Sequence, residues 1–345
     1  MRIRTLLAGV VVTVVFLAAA LVWILAAPRP RPLAVPPGWQ TIRPPHEVSA
    51  LAIQGDAVWA GGDEGVFLID RVSGELRGAL PHDPPFRQVR ALLVDRQGRL
   101  WIGSQMGLWR YDGQEWEAYS IEDGLPDVRV NVLMEDEAGH LWVGTWGGAA
   151  VWDGGRWGLV TTADGLLDNM VNVMLEDRQG CLWFGSYVAP RGGLSVLCGD
   201  SWQHFTTEQG LPHNNITSLL EDSADRIWVG SGLLDRGGAA TFLRGPGGWR
   251  LERTWGPVDG LAGEKVRSLF EDEAGFLWIG SEYDGVALFQ ARVQRVLAEA
   301  DGLADPEVKV IMQDEDGSLW LGTRDGLSRI TAQGLAELYQ HLGTD

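Results

Sequence analysis

Residues 130–165 read VNVLMEDEAGHLWVGTWGGAAVWDGGRWGLVTTADG, and their layout decides the fold. A mostly apolar run (130–134) ends in Glu135-Asp136 and a short turn closed by Gly139. A second strand (141–144), a third (149–152) and a fourth (157–161) follow, and Asp164-Gly165-Leu166 leads onward. Asp opening a turn and Gly near its end suit the chemistry of tight turns: Asp bonds its own backbone two residues on, and Gly accepts positive φ. The Trp-apolar-Gly triplet inside this stretch recurs at Trp59, Trp101, Trp142, Trp183, Trp228, Trp278 and Trp320. The intervals of 42, 41, 41, 45, 50 and 42 residues are those of four-stranded propeller blades. The expected fold is all-β, a single seven-bladed β-propeller.

The turn recurs with Asp95 and Gly98, Asp177 and Gly180, Asp272 and Gly275, and Asp314 and Gly317; Asp222 has Asp225 in place of Gly. Together with the "DGLLDN" and "EQGLPHNN" stretches, these residues resemble the two-component regulator propeller repeat over about residues 45–330. The resemblance implies a periplasmic, sensor-type propeller. It speaks for fold more than for function, because its signature residues serve turns and packing. Blade one departs most, with Gln54-Gly55-Asp56-Ala57 at the turn and Gly62 where Ser or Thr follows elsewhere. Blade five carries an insertion around 233–237.

The N-terminus predicts a membrane connection. A short cytoplasmic tail (1–5) precedes an uncharged, mostly apolar run, 6–27, long enough to span a bilayer core as a helix. A signal anchor fits this better than a cleaved signal peptide, whose apolar region is about 7 to 15 residues. Residues 28–38 form a Pro-rich, stiff linker, and residues 39–345 the propeller. Two terminal segments compete as the outer strand of blade seven, Trp39–Ile42 and 335–339, and the first is preferred. The expected location is the cell membrane, single-pass, with the propeller on the extracytoplasmic side.

The chain has a net charge of −18, concentrated in the turns containing Glu135, Asp136, Glu176, Asp177, Glu271, Asp272, Asp314 and Asp316. That acidity excludes nucleic acid as a partner, since phosphate neutralisation needs Lys and Arg. The opposite face reads differently. Five residues before the turn Asp, successive blades present Arg90, Asn131, Asn172, Thr217, Arg267 and Lys309, with Ser49 the aligned residue of blade one, polar residues among apolar neighbours. Just above them come Arg87, Gln88, Arg129, Asn214, Asn215 and Lys265. This collar, with loop residues Trp146, Tyr187, Arg191, Arg236, Tyr283, Asp284, Arg324 and Asp325, is the candidate site for a small polar or anionic ligand. The alternative is a wet channel in which these groups only satisfy backbone and water.

Cys181 and Cys198 come to lie opposite each other if Gly185 pairs with Leu194, giving either a disulfide or two buried thiols. The six histidines (His46, His82, His140, His204, His213, His341) show no metal-binding spacing, and neither a metal nor a cofactor is expected. The expected activity is binding rather than catalysis: a sensor-like propeller without its own output domain. A docking platform for an envelope or membrane protein is the alternative, and a propeller lyase or hydrolase is less favoured.

Overall fold

The computed structural model describes residues 35–82, 86–187 and 191–342. Seven four-stranded antiparallel sheets follow one another along the chain, each in the order inner to outer strand. Blades one to six span 50–79, 89–119, 130–160, 171–205, 216–255 and 266–297. Blade seven combines Val308–Gln313, Leu319–Thr323 and Gly326–Ile330 with Trp39–Ile42 as its outermost strand. Trp39 pairs with Ile330 and Ile42 with Leu327, so the N-terminal strand closes the ring and removes a free edge. The expected tail, span and residues 28–34 of the linker lie outside the described residues. Among the described residues no helix is long and apolar enough to cross a membrane.

Every blade keeps its triplet Trp at most 9% exposed. In blades two to seven the turn Asp accepts the indole Nε1–H of that Trp at 2.6–2.9 Å. The same carboxylate closes its own turn. Asp177 Oδ1 accepts the backbone N–H of Gln179 and Cys181, both at 2.9 Å, while Oδ2 takes Trp183. The preceding Glu links blades. The Glu135, Glu176, Glu221 and Glu271 carboxylates accept backbone N–H groups of Arg96, Glu137, Arg178 and Ser223 in the previous blade's turn at 2.6–2.9 Å. Gln313 does the same for Glu273 at 3.0 Å. The acidity of this face is therefore structural.

The Gly of each triplet is required by its neighbour blade. A Cβ on Gly144 would stand 2.9 Å from Val171 of blade four and 2.5 Å from Val132. Gly165, at φ +128°, would meet the Trp202 indole at 2.3 Å.

Blade one lacks the clamp, since its shorter turn has no Asp to face the indole, and Trp59 Nε1 is buried with no protein acceptor among the described residues. An Arg71–Asp316 ion pair (3.2 Å) and a Gln54 Nε2–Gly98 O bond (2.7 Å) bind this blade to its two neighbours.

Residues 335–339 are not a strand. They belong to α1 (Ala332–Leu342), whose Leu335, Leu338, Tyr339 and Leu342 recur at helical spacing and pack on the blade six and seven core. The Tyr339 hydroxyl donates to Asp272 and its ring stacks on Phe276 at 4.4 Å. The blade-five insertion extends a hairpin, with Leu233 opposite Arg236. Gly185 pairs with Leu194 as expected, and Cys181 and Cys198 form a disulfide.

Two stability predictions follow from this architecture. Asp222→Ala strands the Trp228 indole, the Arg226 guanidinium and two backbone N–H groups, so it should cost at least about 3 kcal/mol, read as a fall in Tm. Reducing the disulfide, which joins residues 17 apart, should remove about 3 kcal/mol and lower Tm by several degrees, while Cys181→Ser/Cys198→Ser becomes insensitive to reductant.

Candidate functional site at the channel mouth

The inner strands of blades two to seven share an irregularity that a sequence pattern does not display. Pairing skips one residue near the start of each, from Val89 to Ala91, Val130 to Val132, Val171 to Val173, Ile216 to Ser218, Val266 to Ser268 and Val308 to Val310. The skipped residues are Arg90, Asn131, Asn172, Thr217, Arg267 and Lys309. A β-bulge leaves its extra residue out of the ladder and re-aims its side chain. Here the six side chains, with Ser49 of blade one, line a single cavity of about 470 Å³ on the face opposite the acidic turns. Gln88, Gln105, Trp146, Tyr187, Lys265 and Glu282 complete the lining.

The neutral members also hold blades together. Asn131 Nδ2 donates to Val171 O (2.8 Å), Asn172 Nδ2 to Ile216 O (2.7 Å) and Thr217 Oγ1 to Val266 O (2.5 Å), each in the following blade. Asn131 Oδ1 then accepts from Trp146 Nε1 at 3.2 Å and Gln105 Nε2 at 3.4 Å.

The charged members come from blades six, seven, one and two. Lys309 pairs with Glu47 (2.6 Å) and Glu307 (3.7 Å), Arg267 with Glu307 (3.4 Å), and Lys265 with Glu282. Arg267 Nε is buried without a protein acceptor, and Arg90 has no hydrogen bond or ion pair among the described residues. Burial would push the Glu47 carboxyl up, but hydrogen bonds to Asp63, Lys309 and Ser49 and the Lys309 charge outweigh it and hold it at about 2. Its hydrogen bond to Glu47, together with burial and the Glu47 charge, raises Asp63. Blades three to five contribute amides, a hydroxyl and two aromatics instead, so the mouth has a charged half and a neutral, partly aromatic half.

Of the residues singled out from sequence, Arg90, Asn131, Asn172, Arg267, Lys309, Trp146 and Tyr187 line this mouth; Arg129, Tyr283 and Arg324 do not. Arg129 is held by Asp127 (2.8 and 2.5 Å) and lies 4.2 Å from the centre of the Trp146 ring. Tyr283 is 55% exposed, and Arg324 is exposed as well. Asp325 is engaged by Arg43 and His46 at 3.2 and 2.8 Å. Asn215 is fully buried, its amide donating to Gly232 O at 2.7 Å. Sequence reading missed Gln105 and Glu282. Their signal was available: the residue directly after the Ser or Thr that follows the triplet faces the channel in blades two, three, four and six, and in blade six that is Glu282, not Tyr283.

The two component regulator propeller family matches residues 83–106, 124–147, 165–188, 210–232, 260–283 and 302–325, one segment at each triplet from blade two to blade seven. The chain belongs to that family. Two solved structures similar to this propeller-repeat protein are extracellular domains from B. thetaiotaomicron. One, of a hybrid two component system, is 20% identical over 88% of this chain and 42% of its own, with a TM-score of 0.75. The other, of a one component system, is 18% identical over 85% of this chain and 40% of its own, at 0.68. The chain therefore spans about two fifths of the length of these domains. Virginiamycin B lyase from Staphylococcus aureus, solved as an inactive variant with quinupristin, shares the fold at 13% identity over 85% of this chain and 98% of its own, with a TM-score of 0.63. No curated protein matches the chain in sequence.

A pH experiment probes the charged half. Because Glu47 is depressed below its ordinary 4.5 in the fold, its ionisation stabilises the protein above that pH and the benefit is lost as pH falls toward 2. Lys309→Met removes a main cause of the depression, so the variant should melt below wild type at pH 6. That gap should narrow between pH 5 and pH 3 in thermal melts.

Proposed function

We propose that this protein is a membrane-anchored, extracytoplasmic binding propeller that holds a small anionic or polyhydroxylated ligand in its channel mouth. The observation that carries this is electrostatic. In a chain of net charge −18, the mouth is lined by four cations, Arg90, Lys265, Arg267 and Lys309; Glu282, Glu307 and Glu47 meet the last three, and Arg90 keeps no ion pair among the described residues. The Arg90 guanidinium makes no hydrogen bond among the described residues and has donors to spare. Fixed guanidinium groups in a partly enclosed cavity suit carboxylates and other oxyanions.

The apolar run 6–27 supports an anchor, and the similarity to extracellular sensor domains supports a location outside the cytoplasm. The antiparallel pairing of Trp39 with Ile330 brings the described chain in at the face opposite the mouth. Binding rather than turnover is our reading. The two histidines nearest this face are engaged, His46 with Asp325 and His213 as acceptor of the Asn215 N–H.

A second reading, docking of an envelope or membrane protein, is favoured by one feature. The extended hairpin of blade five raises Leu234 (68% exposed) on the same face as Met106 (62%).

A thermal-shift screen of the full chain in detergent against organic acids, uronates and amino acids separates the readings. A ligand at about 100 times its Kd adds about 2.7 kcal/mol and should raise Tm by several degrees. Arg90→Glu and Arg267→Glu should abolish the shift. A flat screen would contradict the small-ligand reading and leave docking.

A further inference from the structure

Trp146 differs from the other tryptophans around it. The triplet tryptophans and the outer-strand Trp157, Trp202 and Trp249 all belong to hydrophobic clusters between blades. Trp146 belongs to none of these clusters and lines the mouth instead. Its indole is nevertheless fixed on two sides. Nε1 donates to Asn131 Oδ1 at 3.2 Å, and the Arg129 guanidinium covers one ring face at 4.2 Å. Arg129 is itself locked, with Nε and Nη2 on the two oxygens of Asp127 at 2.8 and 2.5 Å and its backbone N–H on the same carboxylate at 2.8 Å. Trp146 lines the cavity and Arg129 does not, so the guanidinium lies on the side of the indole away from the mouth. The Asp127–Arg129–Trp146–Asn131 chain thus fixes an aromatic ring in the neutral half, where Tyr187 of the next blade also lines the cavity.

The electronics of such a platform narrow what can lie on it. A guanidinium behind an aromatic ring draws on its π density. With one face taken by Arg129, the other is left for a ligand, and an aryl ring stacks there with a gain beyond its buried area. The charged half supplies the unengaged guanidinium of Arg90. A cavity of about 470 Å³ accommodates one aromatic ring with its substituents and some water.

We propose that the mouth is specific for a small aromatic carboxylate, with its ring on Trp146 and its carboxylate toward Arg90, Arg267 and Lys309. This rests on the reading of the mouth as an anion site and adds the aromatic requirement to it. Arg129 is a positioning residue, acting only through Trp146.

The test is isothermal titration of the full chain in detergent with 4-hydroxybenzoate, cyclohexanecarboxylate, benzyl alcohol and glucuronate. The expected result is that 4-hydroxybenzoate binds about three- to tenfold more tightly than cyclohexanecarboxylate. Trp146→Leu and Arg129→Gln should bring that ratio to about one, a change that mere loss of stability does not produce. Arg267→Gln should weaken both acids and keep the ratio. Equal affinity for the two acids, or a preference for glucuronate, overturns the aromatic inference and leaves the anion reading standing. Binding of benzyl alcohol as tight as that of 4-hydroxybenzoate, or no binding of any acid, overturns both.

Discussion

A buried carboxylate gripping a tryptophan indole is the interaction on which this propeller depends. The turn Asp of blades two to seven is at most 7% exposed. Removing that charge from water is costly unless every lone pair is used. Five of these carboxylates meet the requirement with two backbone N–H groups and one indole N–H, and Asp136 with the His140 N–H, the His140 ring and the indole, so one side chain both shapes the turn and fixes the rotamer of the largest core residue. The Trp then fills the space between blades, and the triplet Gly lets the next inner strand approach. Blade one, without the Asp, leaves Trp59 Nε1 unpaired and depends on Arg71 and Gln54 for its attachment.

Concentrating the structural work at that face leaves the opposite face free to carry chemistry. The bulge residue contributes no ladder bond, and it can be Arg, Lys, Asn or Thr without disturbing the blade. Six bulges and Ser49 therefore form a ring whose composition varies blade by blade. The variation is ordered: ionisable groups gather in blades six, seven, one and two, amides and aromatics in three to five. A ligand that fits such a mouth has one charged end and one neutral face.

Most of the fold was legible in the sequence because each repeat states its reasons locally. Trp, Gly, Asp and strand alternation all recur at one interval, and counting outer strands left two candidates to close the ring, of which the preferred Trp39–Ile42 is the one that does. The final segment was misread because the apolar spacing of Leu335, Leu338 and Leu342 belongs to a helix, and only packing on blades six and seven decides between the two. The collar was found as a column of polar residues, and the two cysteines fell opposite each other as their register required. Partnership was not legible. That Asn131 and Asn172 bridge blades, that Arg129 retires behind Trp146, and that Lys309 is held by Glu47 all depend on contacts between residues 2 to 262 positions apart. Glu282 was passed over for its aromatic neighbour, although the strand period pointed to it.

The central claim is that the bulge ring forms an anion site, and halide soaking of crystals of this protein tests it most directly. Anomalous scattering from bromide or iodide should reveal an ion in the mouth, in contact with Arg90. Halide bound only on the outer surface, with the mouth empty at concentrations that fill other sites, would contradict the account.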